Sequence, residues 1–445
     1  MPRISDKFSP GLGKIVRNVG WLSLEKALSM ILNLTIGIYL IRYLGSNDFG
    51  KLSYCLSIVG MFEALAKLGL DSIVVRSLVK EKESTSEILS TALVLKLFSS
   101  LITLALIACV IYALNQDSQT HWITIVIALG LVLRSTEVID FWFQSKVLAK
   151  PMSLIRSFKL LIGSILRIIL IFWGFPLAAF VWLLLIEEIV GATGTVWIFW
   201  QHQRHETNFN QQSAFWQKFN YVRAKELIRD SWPLILSGVM ITIYMKMDQV
   251  MLGNMASNEA VGNYAAAVRF SEVWYFFPVA ICTSVFPSII HAKQRSRQEY
   301  YNKLQQLYDL MAWSSILIAI IMTFSSGILI NALLGEEYTE AGKILALHIW
   351  AGPFVFLGVA RTQWLMAENL TKLSFACTSL GAVVNLILNF WLIPLYGGSG
   401  AAIATVISYA VASHIACIAY PKMFDTGWML TKALFVPLRI RQNIA

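Results

Sequence analysis

Twelve apolar stretches run through this chain, each close to the roughly 20 residues that a helix needs to cross a bilayer. They cover 18–41, 50–70, 88–113, 121–142, 155–174, 177–200, 231–253, 262–288, 308–333, 343–366, 373–394 and 399–420. A soluble core cannot hide so much apolar surface. Only 14% of the 445 residues are charged and 57% are hydrophobic, where a soluble protein carries about 25% charged residues. The mean hydropathy is +0.62. The predicted fold class is therefore all-α integral membrane, with about 12 transmembrane helices. One interruption stands apart from the rest, QHQRHETNFNQQSAFWQKFNYVRAKELIRD at 201–230, which carries Arg204, Lys218, Arg223, Lys225 and Arg229. Six spans precede it and six follow. The expected organisation is a six-helix lobe over 1–200, a cytoplasmic basic connector over 201–230 and a second six-helix lobe over 231–445, as in transporters built by duplication.

The connections alternate in charge. One set is basic: Arg3, Lys7, Lys14 and Arg17; Arg76, Lys80 and Lys82; Lys146, Lys150 and Arg156; the connector; Lys293, Arg295, Arg297 and Lys303; Lys372; and the tail with Lys422, Lys432, Arg439 and Arg441. The other set (SNDF, NQDSQTH, GFP, NMASNEAV, GEEYTEA and YGGSG) is short and nearly free of Lys and Arg. The positive-inside rule then puts both termini in the cytoplasm. It also accounts for the net charge of +10, so no nucleic-acid partner is expected. The first apolar run is too long for a signal-peptide core and lacks a small-residue cleavage site, so it reads as a retained helix. The five cysteines, Cys55, Cys109, Cys282, Cys377 and Cys417, all fall in apolar runs without metal-type spacing and read as small buried hydrophobes.

The halves share a weak repeat. Leu44, Gly45, Asn47, Asp48, Gly50 and Tyr54 correspond to Leu252, Gly253, Asn258, Glu259, Gly262 and Tyr264. Gly past a helix end supplies a left-handed cap, and the acidic residue then lies at the start of the next helix, where the dipole favours it. Two ordinary helix hairpins would use the same turn chemistry. With an even number of helices per half, the repeats are parallel, related by an axis along the membrane normal.

Several segments resemble a known family: WLSLEKALSMILNLTIGIYLIRYLGSNDFGKLSY at 21–54, LGLDSIVVRSLV at 68–79, AGPFVFLGVARTQWLMAENLTKLSF at 351–375 and GAVVNLILNFWLIPLYGGSGAAIATVISYAV at 381–411. These are similar to bacterial polysaccharide-biosynthesis flippases, the translocases of O-antigen and related lipid-linked oligosaccharides. That family is grouped with the multidrug and toxin extrusion (MATE) transporters and lipid II flippases. The resemblance implies a MATE-like pseudo-symmetric bundle in a bacterial plasma (inner) membrane, alternating access, and polyprenyl-pyrophosphate-linked oligosaccharide as cargo. Membrane lipids, H⁺ or Na⁺, and polysaccharide polymerase machinery are the expected partners, with no cofactor.

Ionisable groups inside spans are costly, about 2.5–3.5 kcal/mol each on insertion scales, so they single out candidate sites. Counting from Ser257, Lys246 and Asp248 lie eleven and nine residues down one leg of a hairpin; Arg269 and Glu272 lie twelve and fifteen down the other. At about 1.5 Å per residue the four share a depth within about 10 Å. Two readings stand: a neutral salt-bridge network, or a site where Asp248 or Glu272 carries a coupling ion and Arg269, with Lys246, meets the pyrophosphate. Lys26, Lys96, Arg134 and Arg361 read as a cationic vestibule toward the cytoplasm, each alone also explicable as a snorkelling side chain. Arg134, Glu137 and Asp140 recur every three residues and share a face, and Glu25 is expected to balance Lys67. Arg167 and Glu187 or Glu188 read as a structural ion pair, with Glu187 as a coupling carboxylate the rival. His348 and His414 read as packing residues.

A Walker A motif is absent: Gly335 to Gly342–Lys343 has the wrong spacing and no following Ser or Thr. No Asp-x-Asp pair, zinc-type cluster or nucleophile elbow occurs. The chain is therefore expected to be a secondary transporter and not an enzyme. Two alternatives compete: a MATE-type drug or cation exporter, which calls for an anionic cavity, and a membrane glycosyl-polymerase or ligase, which calls for a large outer loop.

Overall fold

The computed structural model describes residues 10–114, 116–205 and 219–436. The middle of the connector (206–218, with Lys218) and the terminal residues Arg3, Lys7, Arg439 and Arg441 lie outside the described residues. Every regular element among the described residues is helical. In order they are α1 Pro10–Lys67, α2 Asp71–Lys80, α3 Thr85–Ala113, α4 Ser118–Leu133, α5 Val138–Ser145, α6 Ala149–Phe172, α7 Leu177–His205, α8 Tyr221–Met255, α9 Asn258–Glu272, α10 Phe276–Arg295, α11 Arg297–Leu334, α12 Thr339–His348, α13 Ala351–Ala367, α14 Thr371–Ala410, α15 Ala416–Ala419 and α16 Phe424–Leu434.

Among the described residues seven helical stretches are long and apolar enough to cross a membrane, or eight if the pair Glu336–His348 and Ala351–Ala367, bent by 45°, is one span. The chain is a multi-pass membrane protein. The twelve expected stretches all fall on helix, but several do so within longer or broken elements. α1 has 58 residues and turns back at Gly45, whose φ of 70° lies in the left-handed region. α14 has 40 residues and breaks at Gly397, φ 55°. At 1.5 Å per residue either element would run far past the roughly 30 Å of hydrocarbon, so each is two legs joined at glycine. α6 meets no such test because Arg156, Lys159 and Arg167 lie within its apolar run.

Backbone packing groups the chain into two compact units. One comprises residues 1–43 and 58–242, the other 44–57 and 243–445. In the first unit Leu70, Val74, Ile88, Leu89, Val138, Trp142 and Phe199 form a buried cluster. The described end of the connector is pinned within this unit: Arg223 pairs with Glu81, Asn220 Nδ2 donates to Glu87 at 2.9 Å, and Arg76 meets Asp230 at 2.5 Å. In the second unit Cys282, Tyr308, Met311, Phe356, Leu357, Trp364 and Cys417 are the core. Four of the five cysteines are buried, as expected of small hydrophobes, whereas Cys109 is exposed on α3.

The repeat motif has a structural use inside the second unit. Gly50 and Gly262 pack backbone on backbone: a Cβ on Gly50 would collide with the carbonyl of Asn258, and one on Gly262 with that of Ser46. Glu337 reinforces the seam, accepting from Ser46 N at 2.6 Å and Ser46 Oγ at 2.8 Å. The acidic Glu259 occupies the first turn of α9, whose N-cap is Ser257, accepting from Ala260 N. Gly253, expected as a helix cap, is not one. α8 continues to Met255, and Gly253 instead leaves room for the ring of Tyr54, whose hydroxyl donates to Asn254 at 3.2 Å.

Candidate functional site

The second unit holds a polar core among apolar helices. Asp248 on α8 is 5% exposed, and its contacts are with neutral groups. Tyr264 of α9 donates to Oδ2 at 2.5 Å, Thr405 of α14 donates to Oδ2 at 2.7 Å, and Asn389 of α14 donates to Oδ1 at 2.6 Å. Asn389 also donates to Asn385 at 3.0 Å, and Asn385 reaches Ser408, which lies 3.3 Å from the Tyr244 hydroxyl. Asn385 and Asn389, four apart, share a helix face, while Thr405 is on the returning leg beyond Gly397. The break in α14 is thus what lets one element present both the asparagines and the threonine to Asp248. The Oδ1 of Asn389 is buried and has no hydrogen-bond partner, an unusual cost that marks a site worth explaining.

The four charges grouped by depth behave differently from one another. Asp248 is buried in the neutral network. Glu272 is exposed at the end of α9 and within electrostatic reach of Lys246 and Asp248. Lys246 and Arg269 are half-buried. Nearby, His348 Nδ1 lies 3.0 Å from Ser271 Oγ and its ring 6.0 Å from that of Tyr264. His414, in a π-helical turn at Val411–Ile415, meets Thr431 at 3.0 Å.

The first unit holds a cavity of about 460 Å³ whose walls include Lys67, Arg134, Glu137, Asp140, Arg156, Lys159 and Glu188. Arg134, Glu137 and Asp140 share this cavity, as their spacing predicts. Arg134 Nη1 reaches Glu63 at 3.1 Å and Nη2 reaches Glu188 at 2.9 Å. Lys159 also meets Glu188, at 2.8 Å, and Lys67 meets Glu63 at 2.7 Å. Arg156 bonds Asp140 and, at 3.3 Å, Glu25. Glu25 therefore balances Arg156 and not Lys67, because Lys67 finds Glu63 one helical turn away on its own helix. Lys96 is almost fully buried and reaches Glu137 at 3.4 Å. Arg167 and Glu187 form an ion pair at 2.7 Å.

The four cations expected at the vestibule sit in different local surroundings. Lys96 and Arg134 join the ion pairs of the first unit, and Lys26 is exposed on α1. Arg361, on α13 in the second unit, is 4% exposed and donates to the carbonyls of Ala412 at 2.7 Å and Ser413 at 3.3 Å. Arg361 thus holds the carbonyl side of the π-helical turn at Val411–Ile415. Sequence reasoning missed Tyr264, Asn385, Asn389 and Thr405 as a group. The available signal was a pair of asparagines one turn apart in an apolar run.

Comparison with known proteins fits this architecture. Residues 15–293 match the family described as "Polysaccharide biosynthesis protein", and residues 233–391 match the family described as MatE. The "Probable low-salt glycan biosynthesis flippase Agl15" of Haloferax volcanii is 24% identical over 380 residues, 83% of this chain and 76% of that protein. The "Capsular polysaccharide biosynthesis protein CapF" of Staphylococcus aureus is 22% identical over 89% of this chain and 97% of its own length. Among solved structures, the lipid II flippase MurJ in an inward closed conformation superposes with a TM-score of 0.67 at 16% identity, covering 95% of this chain and 92% of MurJ. An inward-facing multidrug resistance MATE family transporter gives 0.65 at 15% identity, over 94% and 98%. The fold is MATE-like, and with more than half of its residues matched the chain belongs to the polysaccharide biosynthesis protein family.

Proposed function

We propose that this protein is a secondary transporter that flips polyprenyl-pyrophosphate-linked oligosaccharide from the cytoplasmic to the outer leaflet of a bacterial plasma membrane. The observation that carries the cargo class is the family match over residues 15–293; relatives named as glycan flippases support it. The physical task agrees. A diphosphate and many hydroxyls cross hydrocarbon only if a polar path replaces their hydration, because each charge and each unpaired polar group costs several kcal/mol. An exposed carboxylate such as Glu272 within a spanning region calls for a water-lined surface of that kind.

Roles follow the geometry. Arg269 and Lys246 meet the diphosphate. Asp248 is the coupling group: its carboxylate takes a proton, or together with the unpartnered Asn389 Oδ1 and the Thr405 hydroxyl offers the hard oxygen donors that suit Na⁺. Glu272, exposed beside it, is the water-facing partner of that step. Glu187, held by Arg167, is structural. Arg361 holds a helix bend and is not a cargo contact. The two six-helix lobes, with both termini and the basic connector cytoplasmic, are the frame in which access alternates. Transport and no bond-making step is the whole of the reading.

The test is translocation of fluorescent polyprenyl-pyrophosphate oligosaccharide in proteoliposomes. Arg269→Ala should insert normally and lose translocation. Arg269→Lys should retain part of it, since charge survives but the bidentate fork does not. Full activity of Arg269→Ala removes the diphosphate assignment. The MatE match favours a second reading, export of cationic drugs; uptake of a cationic dye by the same vesicles, with no lipid flipping, would select it.

A further inference from the structure

Of the four cations expected to form a vestibule, the cavity of the first unit takes in Arg134, and its walls are charge-balanced. Four basic side chains, Lys67, Arg134, Arg156 and Lys159, face four acidic ones, Asp71, Glu137, Asp140 and Glu188. Each of the four basic groups holds a carboxylate within 3.3 Å or less. An inorganic or lipid diphosphate placed here gains attraction from the cations and loses a similar amount to the carboxylates that already occupy them. What the pairs still offer is dense hydrogen bonding of both polarities. A guanidinium has five N–H donors and a carboxylate about four lone-pair positions, and the ion pairs engage only some of each. A hydroxyl donates and accepts at once, so adjacent donor and acceptor edges match a polyhydroxylated ring and mismatch an anion that can only accept.

We propose that this cavity is a subsite for neutral sugar units of the cargo and not for its diphosphate. Its volume of about 460 Å³ falls within the 300–1,000 Å³ of ordinary small-molecule sites. A second cavity of similar size adjoins it, with Thr136 and Ala192 lining both and the exposed Trp197 and Trp200 on its far side. Indole offers an apolar face with one N–H donor, which suits the alternating C–H face and hydroxyl edge of a pyranose. Two adjoining cavities give room for more than one ring. This inference rests on the flippase reading, since it names the part of the cargo that the first unit holds.

Equilibrium binding separates the two. The probes are oligosaccharyl-polyprenyl diphosphate extracted from the host's own membranes, and bare polyprenyl diphosphate of the same chain length. Wild-type protein should bind the glycosylated lipid at least tenfold more tightly. Ala192→Phe, which fills the shared wall without touching a charge, should bring that affinity down to the value for the bare lipid. Thr195→Leu, which narrows only the charged cavity, provides a second variant should the first not fold, and should lower the preference in the same direction. Three results overturn the proposal: no sugar preference in the wild type, an unchanged preference in both variants, or equal weakening of both lipids, which would put the diphosphate in the cavity. If wild-type vesicles flip neither lipid, the flippase reading itself fails; if they flip both lipids normally while any of these three results holds, only the sugar subsite fails.

Discussion

Asp248 condenses the chemistry of the second unit into one residue. Three neutral donors converge on its two oxygens, and removing the carboxylate strands them. Each buried donor left unsatisfied costs about 1–3 kcal/mol. Asp248→Ala should therefore lower the melting temperature in detergent markedly. Asp248→Asn should cost less, since the Tyr264 and Thr405 hydroxyls can turn to accept from the amide. Vesicles carrying Asp248→Asn should still bind cargo but no longer respond to an imposed pH or Na⁺ gradient; an unaltered response would exclude Asp248 from coupling. Arg167 and Glu187 give the opposite pattern. Glu187→Gln leaves a cation without its partner, and breaking a buried pair typically costs about 3–5 kcal/mol. Joining it to Arg167→Gln should restore both expression and flipping; a stable but inactive double variant would return Glu187 to the coupling role. At this scale the sequence exposed the charges because they stand out in apolar runs. It could not expose their partners. Asn385, Asn389 and Thr405 are ordinary packing residues until a bend in one helix gathers them around a carboxylate 137 to 157 positions away. Nor does a single sequence distinguish a cation aimed at cargo from one such as Arg361, which is spent on backbone carbonyls.

Elements are where the repeat motif takes on meaning. Gly50 and Gly262 occupy equivalent places in the two halves, and each fits because the other's neighbouring carbonyl lies where a Cβ would be. The obstruction is backbone, which cannot rotate aside as a side chain could. Gly50→Ala and Gly262→Ala should each destabilise the described seam by roughly 1–3 kcal/mol, the usual range for overpacking. Protease sensitivity at residues 44–57 would report it, and Gly327→Ala, with open space at its Cβ, is the control expected to have little effect. Gly45→Ala adds a different cost, because an L-residue is strained at φ 70°. The turns at Gly45 and Gly397 were legible as glycines between apolar runs. The bend near Ile349, the 3₁₀ turns at Arg134–Glu137 and Val273–Tyr275 and the π-helical turn at Val411–Ile415 were not. Hydropathy reports only whether a segment is apolar, and these breaks are settled by packing against neighbouring helices.

For the whole molecule, orientation follows from the distribution of Lys and Arg more firmly than from any one span. The bare connections include the turn between α8 and α9, where Ala256 is exposed. The basic ones include the described end of the connector, where Lys225 is exposed. The α8 and α9 turn also lies beside the Gly50 and Gly262 seam, so its accessibility reports on that side of the membrane directly. Ala256 is a better probe position than Ser257, because Ser257 caps α9 and its loss would cost about 1 kcal/mol. In a background with the exposed Cys109 replaced by Ala, a membrane-impermeant maleimide added to intact cells should modify Ala256→Cys and spare Lys225→Cys; after permeabilisation both should react. Labelling of Lys225→Cys alone would invert the topology, and with it the direction in which the basic face meets newly made cargo. Labelling of both from outside would mean that α8, the one helix between the two positions, does not cross the membrane. The positive-inside argument predicts the first pattern because seven basic connections agree, and reversing the chain would place all of them on the translocated side, each against the charge bias that orients short loops during insertion.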